Sequence, residues 1–444
     1  MDTQLPQAAK TVSDRDERVA ELDARAREAR VWTERMVAAL GTRECWYSLM
    51  DKVWTVETLY RSWCKVRARA GAPGVDGQSV EKFAARLLVE LEGLSTRLKS
   101  RSYRPDAVKR VLIPKADGGE RPLGIPTVRD RVVQGAIVEV IGPIFENKFE
   151  EGSYGFRPRR GCKDALRAVH AGLKEGLQVI VDADIRGYFD SIDHGMLMKQ
   201  LRVRIEDRTL NELIARYLKQ EVLSTLGRFE PEVGTPQGAV LSPLLANVYL
   251  HGLDVHMRER GYRMVRYADD FVVLCANAEQ AREALGLIEA WMKTAKLSLH
   301  PQKTRLVDMR QEGEYFDFLG YRFAHMKGRM RRFIRPKKAK ALRQKLTALT
   351  PRKCGVSLST LIDKLNPVLR GIFEYFKHAA LTSLQGLEGH LRRRLRRILA
   401  KRQHRAVGAG RSRLAHQLWP NAWFEAQGLY SLTTAHRAHC HPRC

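Results

Sequence analysis

The chain lacks any run of about 18 apolar residues, the length that a membrane-crossing helix needs, anywhere in its 444 residues. Its opening residues, MDTQLPQAAKTVSDRDER, lack a signal-peptide pattern. Both absences argue against a membrane protein and make the cytoplasm the expected compartment. Paired cysteine spacing is missing too. Seven cysteines lie scattered at 45, 64, 162, 275, 354, 440 and 444, an odd number that makes no disulfide framework. The tail His439-Cys440-His441-Pro442-Arg443-Cys444 holds zinc-ligand types. One isolated cluster at a chain end is not a zinc site by itself. Internal repeats and low-complexity linkers are also absent.

Acids are scarce as well. Lys and Arg number 78 against 50 acidic residues, a net charge of +28. Such an excess favours a polyanionic partner, nucleic acid or an anionic membrane, and the missing apolar run makes the membrane the weaker of the two. Hydrophobic content of 44% is ordinary for a globular chain. The length exceeds what one core serves, so two or three domains are expected.

Residues 1–45, rich in Arg, Glu, Asp and Ala, read as a solvated helical arm. Amphipathic helical patterns follow from Trp46 to Leu98, broken by the turn Gly71-Ala72-Pro73-Gly74-Val75-Asp76-Gly77. Val111-Leu112-Ile113-Pro114 and Arg121-Pro122-Leu123-Gly124-Ile125-Pro126 flank Asp117-Gly118-Gly119 and predict a hairpin. Ala278 to Leu297 has helical periodicity, and Phe316 to Phe323 alternates as one strand would. Residues 325–405 hold 23 Lys or Arg and three acids, Asp363, Glu374 and Glu388. Leu391, Leu395 and Ile398 keep helical spacing among the arginines, so this part is a basic helical domain.

Two strand ends carry acids. Val179-Ile180-Val181 runs into Asp182-Ala183-Asp184, and Met264 to Tyr267 with Phe271 to Leu274 flanks Ala268-Asp269-Asp270. Nucleotidyl transfer needs two divalent cations about 4 Å apart. Magnesium prefers carboxylate oxygens, and rigid strand ends hold carboxylates together. Asp also favours turns, so an Asp-Asp pair at a hairpin is by itself ambiguous.

The ordered motifs decide the matter. They are Gly71-Ala-Pro-Gly-Val-Asp-Gly77, Ile113-Pro-Lys115, Arg121-Pro-Leu-Gly-Ile-Pro126, Ser153-Tyr-Gly-Phe-Arg-Pro158 and Asp184-Ile-Arg-Gly-Tyr-Phe-Asp190. Gly234-Thr-Pro-Gln-Gly238, Leu241-Ser-Pro-Leu-Leu-Ala-Asn247, Tyr267-Ala-Asp-Asp270, Pro301-Gln-Lys-Thr304, Phe318-Leu-Gly-Tyr321, Leu365-Asn-Pro-Val-Leu-Arg-Gly371 and Tyr375-Phe376 follow. Over roughly residues 55–435 the chain resembles the bacterial group II intron reverse transcriptases, or maturases.

The resemblance implies an α+β right-hand polymerase. Its fingers and palm, with an antiparallel palm sheet packed on helices, would take residues 46–325. A helical thumb, or maturase, domain would take 326–405, between an N-terminal helical extension (1–45) and an appendix (406–444). It further implies that Asp184, Asp269, Asp270 and the Ile185 carbonyl hold two Mg2+ ions, with Mn2+ able to substitute. Lys115 and Arg121 would grip the triphosphate of a dNTP. Phe189 would exclude a 2′ hydroxyl, Gln237 would lie against the sugar, and Lys303 would stand near the site. Asp182 is not expected to be a ligand, and Asp190 and Asp193 are expected to fix local structure. Arg392, Arg393, Arg394, Arg396 and Arg397 would face intron RNA, where phosphate and shape contacts dominate. The expected partners are intron RNA in a ribonucleoprotein, an RNA template, a DNA primer or target, and dNTPs, with the oligomeric state open. No endonuclease domain is expected, so the primer would come from elsewhere. A free-standing reverse transcriptase of host defence and a splicing-only maturase stay open as alternatives.

Overall fold

The computed structural model describes residues 16–28, 38, 45–114, 119–224, 227–353, 355–404 and 412–440. The Asp117-Gly118 part of the hairpin turn, residues 405–411 and the tail from 441 onward lie outside them. Eleven strands are labelled here in chain order among these residues. The first two confirm the expected hairpin: β1 (Val108–Pro114) pairs antiparallel with β2 (Glu120–Ile125). β1 also pairs in parallel with β4 (Val222–Ser224), which pairs with β5 (Gly227–Phe229), giving the order β2-β1-β4-β5. Pro122 has no N–H to give, and β2 is an edge strand where none is required.

A second sheet has the order β6-β7-β3-β8. It contains β3 (Val179–Asp184), β6 (Arg263–Tyr267), β7 (Asp270–Cys275) and β8 (Arg305–Asp308). β7 is buried from Phe271 to Cys275 and β3 from Val179 to Val181. That explains their near-continuous apolar runs, since both faces of these strands are covered.

The stretch Phe316 to Phe323 is not one strand. β9 (Tyr315–Phe318) and β10 (Tyr321–Met326) form a hairpin, and β10 pairs onward with β11 (Arg329–Ile334). Leu319 and Gly320 both take left-handed backbone, at φ +49° and +80°, and reverse the chain between two strands of like alternation.

The chain divides into two compact units. One comprises Met1–Ala165, Ala183–Phe271 and Arg282–Thr304; the other comprises Leu166–Asp182, Val272–Ala281 and Arg305–Cys444. In the first, the helix Val128–Glu146 is buried over most of its length and is capped by Thr127. The helix over residues 16–28 is not a wholly solvated arm. Leu22 and Ala26 are buried, and Arg18 and Arg25 pair with Glu92 and Glu57. Its apolar face supplies the burial that a lone helix of this length cannot do without. In the second unit, helices Pro336–Leu349, Leu358–Phe376 and Leu381–Arg402 share a core of Leu346, Leu365, Leu369, Leu384, Leu391 and Leu395. Short helices Arg413–Leu418, Asn421–Ala426 and Leu432–Cys440 follow, with Phe424 and Leu432 fully buried. No helix among the described residues is long and apolar enough to cross a membrane.

Candidate active site

Asp184 ends β3, and its backbone is fixed along one edge. The His300 N–H donates to the Asp184 carbonyl at 2.8 Å, and the Arg186 N–H donates to the Ser298 carbonyl at 2.9 Å. Ile185 lies between these bonds, opposite Leu299. In antiparallel pairing a residue so placed turns its own N–H and C=O to the other edge. That is the edge toward β7 in the strand order. The Ile185 carbonyl therefore faces the side on which the Asp-Asp pair lies.

Asp269 and Asp270 sit where β6 turns into β7, just after Ala268, whose φ is +59°. Burial pushes the Asp269 carboxyl up, and the Asp184 carboxylate adds to this, while Arg121 and Lys303 pull it down. The two acids are thus close enough to repel. The Lys303 ammonium donates to Asp184 Oδ2 at 2.6 Å, so this lysine stands on the carboxylate itself rather than merely near it. Among the described residues no three His, Cys, Asp or Glu side chains are grouped as a ready metal cage. What is present is two repelling carboxylates and a backbone carbonyl, with one flexible lysine, 60% exposed, offsetting the charge. That donor set suits a hard divalent cation, because oxygen ligands and excess negative charge are what it needs.

The polar groups around this centre are preorganised. Arg121 Nε donates to Gln237 Oε1 at 2.6 Å, and Gln237 Nε2 donates to Asp190 Oδ2 at 3.3 Å. Gln237 reaches this position because its own carbonyl accepts from the Gly124 N–H on β2 at 2.7 Å. Gly238 makes that approach possible. Its φ is +109°, and a Cβ there would lie 2.5 Å from the Gly124 carbonyl oxygen. Phe189, half-buried on the turn Tyr188–Asp190, is edge-on to Phe156 with ring centres 6.3 Å apart. Lys115 lies outside the described residues.

Asp182 is bound to Arg305 at 3.2 Å, and burial pushes its carboxyl up to about 6. Asp193 caps the helix His194–Arg202 and pairs with Lys296. Both hold local structure.

The arginines of the helix Leu381–Arg402 are not all turned outward. The Arg392 side chain is 7% exposed and pairs with Glu388 and Glu425 at 2.6 and 2.8 Å. Arg396, 2% exposed, donates to the Trp419 carbonyl and to Asn421, and lies over the Phe424 ring. Arg394 donates to the Thr350 hydroxyl and to the Thr347 carbonyl. Their donors serve the packing of the C-terminal helices, which takes Arg392 and Arg396 out of any RNA-facing set. Arg397 is exposed, and Arg393 is half-buried.

One group escaped the sequence reading altogether. Arg266, in β6, has a fully buried side chain that donates to the Ala268 carbonyl at the Asp-Asp turn. Its only sequence signal is an arginine beside Met264 and Val265 in a short strand.

Residues 113–323 match the family described as reverse transcriptase (RNA-dependent DNA polymerase). Residues 339–419 match the group II intron, maturase-specific domain. Protein YkfC of Escherichia coli (strain K12) is 34% identical over 303 residues, 59% of this chain and 78% of that protein. The chain belongs to the group II intron reverse transcriptases. The group II intron-encoded protein LtrA of Lactococcus lactis subsp. cremoris is 39% identical to this reverse transcriptase over 180 residues, 40% of this chain. That match spans only 28% of LtrA's own length. A looser likeness, with a TM-score of 0.42 and 13% identity, links it to a telomerase from Candida albicans over 68% of this chain and 63% of that one.

Proposed function

We propose that this reverse transcriptase binds a group II intron RNA, assists its splicing and copies it into DNA. The observation that supports the reading best is the placement of Asp184 at the end of β3 and of Asp269 and Asp270 at the turn between β6 and β7, with Lys303 bonded to Asp184. Asp184, Asp269, Asp270 and the Ile185 carbonyl would hold two Mg2+ ions, or Mn2+ in their place. The chemistry such ions would supply is activation of a primer 3′ hydroxyl and neutralisation of the charge on departing pyrophosphate.

The chain's own residues do the rest. Arg121 holds Gln237 and is oriented for charge-assisted bonds to a triphosphate. Lys115, next in sequence after Pro114, would share that task. Lys303 exchanges Asp184 for a phosphate once the carboxylate is otherwise neutralised. Phe189 fills the space of a 2′ hydroxyl, and Gln237 supports the sugar. Fingers and palm take residues 46–325 and the maturase thumb 326–405, preceded by a helical extension (1–45) and followed by an appendix (406–444). The product would be a ribonucleoprotein that needs an RNA template and a DNA primer or target.

The test is primer extension on an RNA template with dNTPs and Mg2+, paired with a splicing assay on any group II intron found in the DNA flanking the gene. Template-length cDNA and protein-dependent splicing are expected. Absence of any extension with either Mg2+ or Mn2+ would sink the polymerase part, and unassisted splicing at the same rate would sink the maturase part.

A further inference from the structure

We infer that Arg266 is a positioning residue for nucleotidyl transfer: it locks the left-handed turn at Ala268 that aims Asp269. The inference rests on Asp269 acting in the polymerase site.

A guanidinium offers five N–H donors in a fixed plane. Arg266 uses all five. Nε donates to Asp254 Oδ1 at 2.7 Å, and one Nη2 proton goes to Asp254 Oδ2. The other Nη2 proton goes to Ser153 Oγ at 2.8 Å. Nη1 donates to Asn247 Oδ1 at 3.1 Å and to the Ala268 carbonyl at 3.0 Å. Asp254 supplies the counter-charge that a fully buried cation requires. The other three contacts are not needed for neutrality. They tie the arginine to two separate stretches of chain and to the turn that follows it, and each of the three holds a sequence motif.

Ser153 opens Ser153-Tyr-Gly-Phe-Arg-Pro158, and Asn247 closes Leu241-Ser-Pro-Leu-Leu-Ala-Asn247. Asn247 in turn donates from Nδ2 to the Gly155 carbonyl at 2.7 Å. The backbone of Arg266 joins the same segment, its N–H donating to the Gly152 carbonyl and its carbonyl accepting from the Tyr154 N–H, both at 2.8 Å. Gly155 is so close that a Cβ on it would lie 2.3 Å from the Ala268 nitrogen. Ala268 is therefore clamped on both sides: Gly155 against its nitrogen, Arg266 on its carbonyl.

That clamp has a task. A left-handed alanine is strained and persists only where its surroundings over-determine it. The Ala268 carbonyl belongs to the same peptide plane as the Asp269 nitrogen, and peptide planes are rigid. Holding that carbonyl fixes the plane from which the Asp269 side chain departs. Lysine offers three donors and no planar fork, so it keeps the charge opposite Asp254 and loses the clamp.

The experiment compares Arg266→Lys, Ser153→Ala and Asp184→Asn with the wild-type chain. Four readouts are taken: steady-state primer extension, thermal unfolding, RNA binding and Tb3+ luminescence titration. For Arg266→Lys, kcat should fall about 100-fold, the usual cost of misplacing a reacting group by an ångström. The KM for dNTP should stay within about threefold, since binding of substrate is not what is removed. Half-saturation by Tb3+ should move to several-fold higher concentration while RNA binding is kept. Ser153→Ala leaves the Asp254 pair intact and should show the same pattern at about tenfold. It decides the matter if Arg266→Lys does not fold. A folded variant with wild-type kcat and Tb3+ affinity overturns the positioning role. So does a kcat loss that merely tracks loss of the folded fraction, with Tb3+ affinity unmoved. Full polymerisation by Asp184→Asn would instead overturn the catalytic reading itself, and the inference about Arg266 with it.

Discussion

The Asp-Asp turn and the arginine run of the helix Leu381–Arg402 are both dense in charge, yet the fold treats them in opposite ways. At the turn the charges are left in conflict. Asp269 is half-buried and raised by burial and by Asp184, while Arg121 and the exposed Lys303, which is bonded to Asp184, pull the other way. In the helix the conflict has been removed. Arg392 has two glutamates, and Arg396 has a carbonyl, an amide and an aromatic face. A cluster whose counter-charges lie elsewhere in the fold is architecture. A cluster left under-compensated is poised for a ligand. Net charge along the sequence cannot tell the two apart, because apart from Glu388 the partners of these arginines are distant residues.

The comparison breaks first at its catalytic end. Replacing Asp269 and Asp270 with Ala should abolish primer extension, by about a thousandfold or more, the scale on which electrostatic stabilisation acts. RNA affinity measured by filter binding should change little. Undiminished cDNA synthesis would show that the acids of this turn are not the working ones.

At the other end, Arg392→Ala should cost folding rather than binding. It strands Glu388, whose side chain is 3% exposed, beside Glu425. Breaking a buried pair on one side costs about 3–5 kcal/mol. Denaturant unfolding should show that loss, and the salt dependence of RNA binding of the folded fraction should keep its wild-type slope. A flattened slope without loss of stability would return Arg392 to the RNA face.

Asp130 sharpens the distinction, as a buried acid satisfied by neutral groups. It is fully buried and accepts from the Tyr103 and Thr127 hydroxyls at 2.7 and 2.8 Å and from the Asp106 N–H at 3.2 Å. Burial nevertheless pushes its carboxyl up from 3.8 to about 6. The folded state then holds the proton more tightly than the unfolded state. The resulting stabilisation is complete below pH 3.8 and is lost as pH rises through about 6, a total of about 3 kcal/mol at 1.36 kcal/mol per pH unit. Asp130→Asn cannot titrate and should lose this component. Urea unfolding of both proteins from pH 4 to 7 checks it, and parallel pH profiles would refute it.

Much of the candidate site and its strands was legible because their signals are local. Proline and glycine between β-branched runs marked the β1–β2 hairpin, and paired acids after apolar strands marked Asp184 and the Asp-Asp turn. The features that stayed hidden depend on distant partners. Arg266 draws on Ser153, Asn247 and Asp254, and nothing near it in sequence announces those contacts. The salt bridge from Lys303 to Asp184 spans 119 residues. The β9–β10 reversal hid behind aromatic alternation that continues on both sides of Leu319-Gly320, without the Asn-Gly or Asp-Gly pair that usually marks such a turn. The inward arginines hid because Leu391, Leu395 and Ile398 define an apolar stripe that gives no hint of what packs beside it.

The smallest effect tests what remains of the basic face. Arg397 is exposed, and Arg393 is half-buried with its Nε on the Gly389 carbonyl. Replacing both with Ala should leave the core of the helix untouched, since neither holds a carboxylate among the described residues. If both meet phosphates, RNA affinity should fall by a similar factor on every sequence, and the slope of log affinity against log salt should shrink by about one for each arginine removed. Arg392→Ala should leave that slope alone while lowering stability. The two measurements therefore move in opposite directions for neighbouring arginines of one helix. Equal behaviour of the two variants, in either measurement, would mean that burial does not separate structural from RNA-facing charge in this domain.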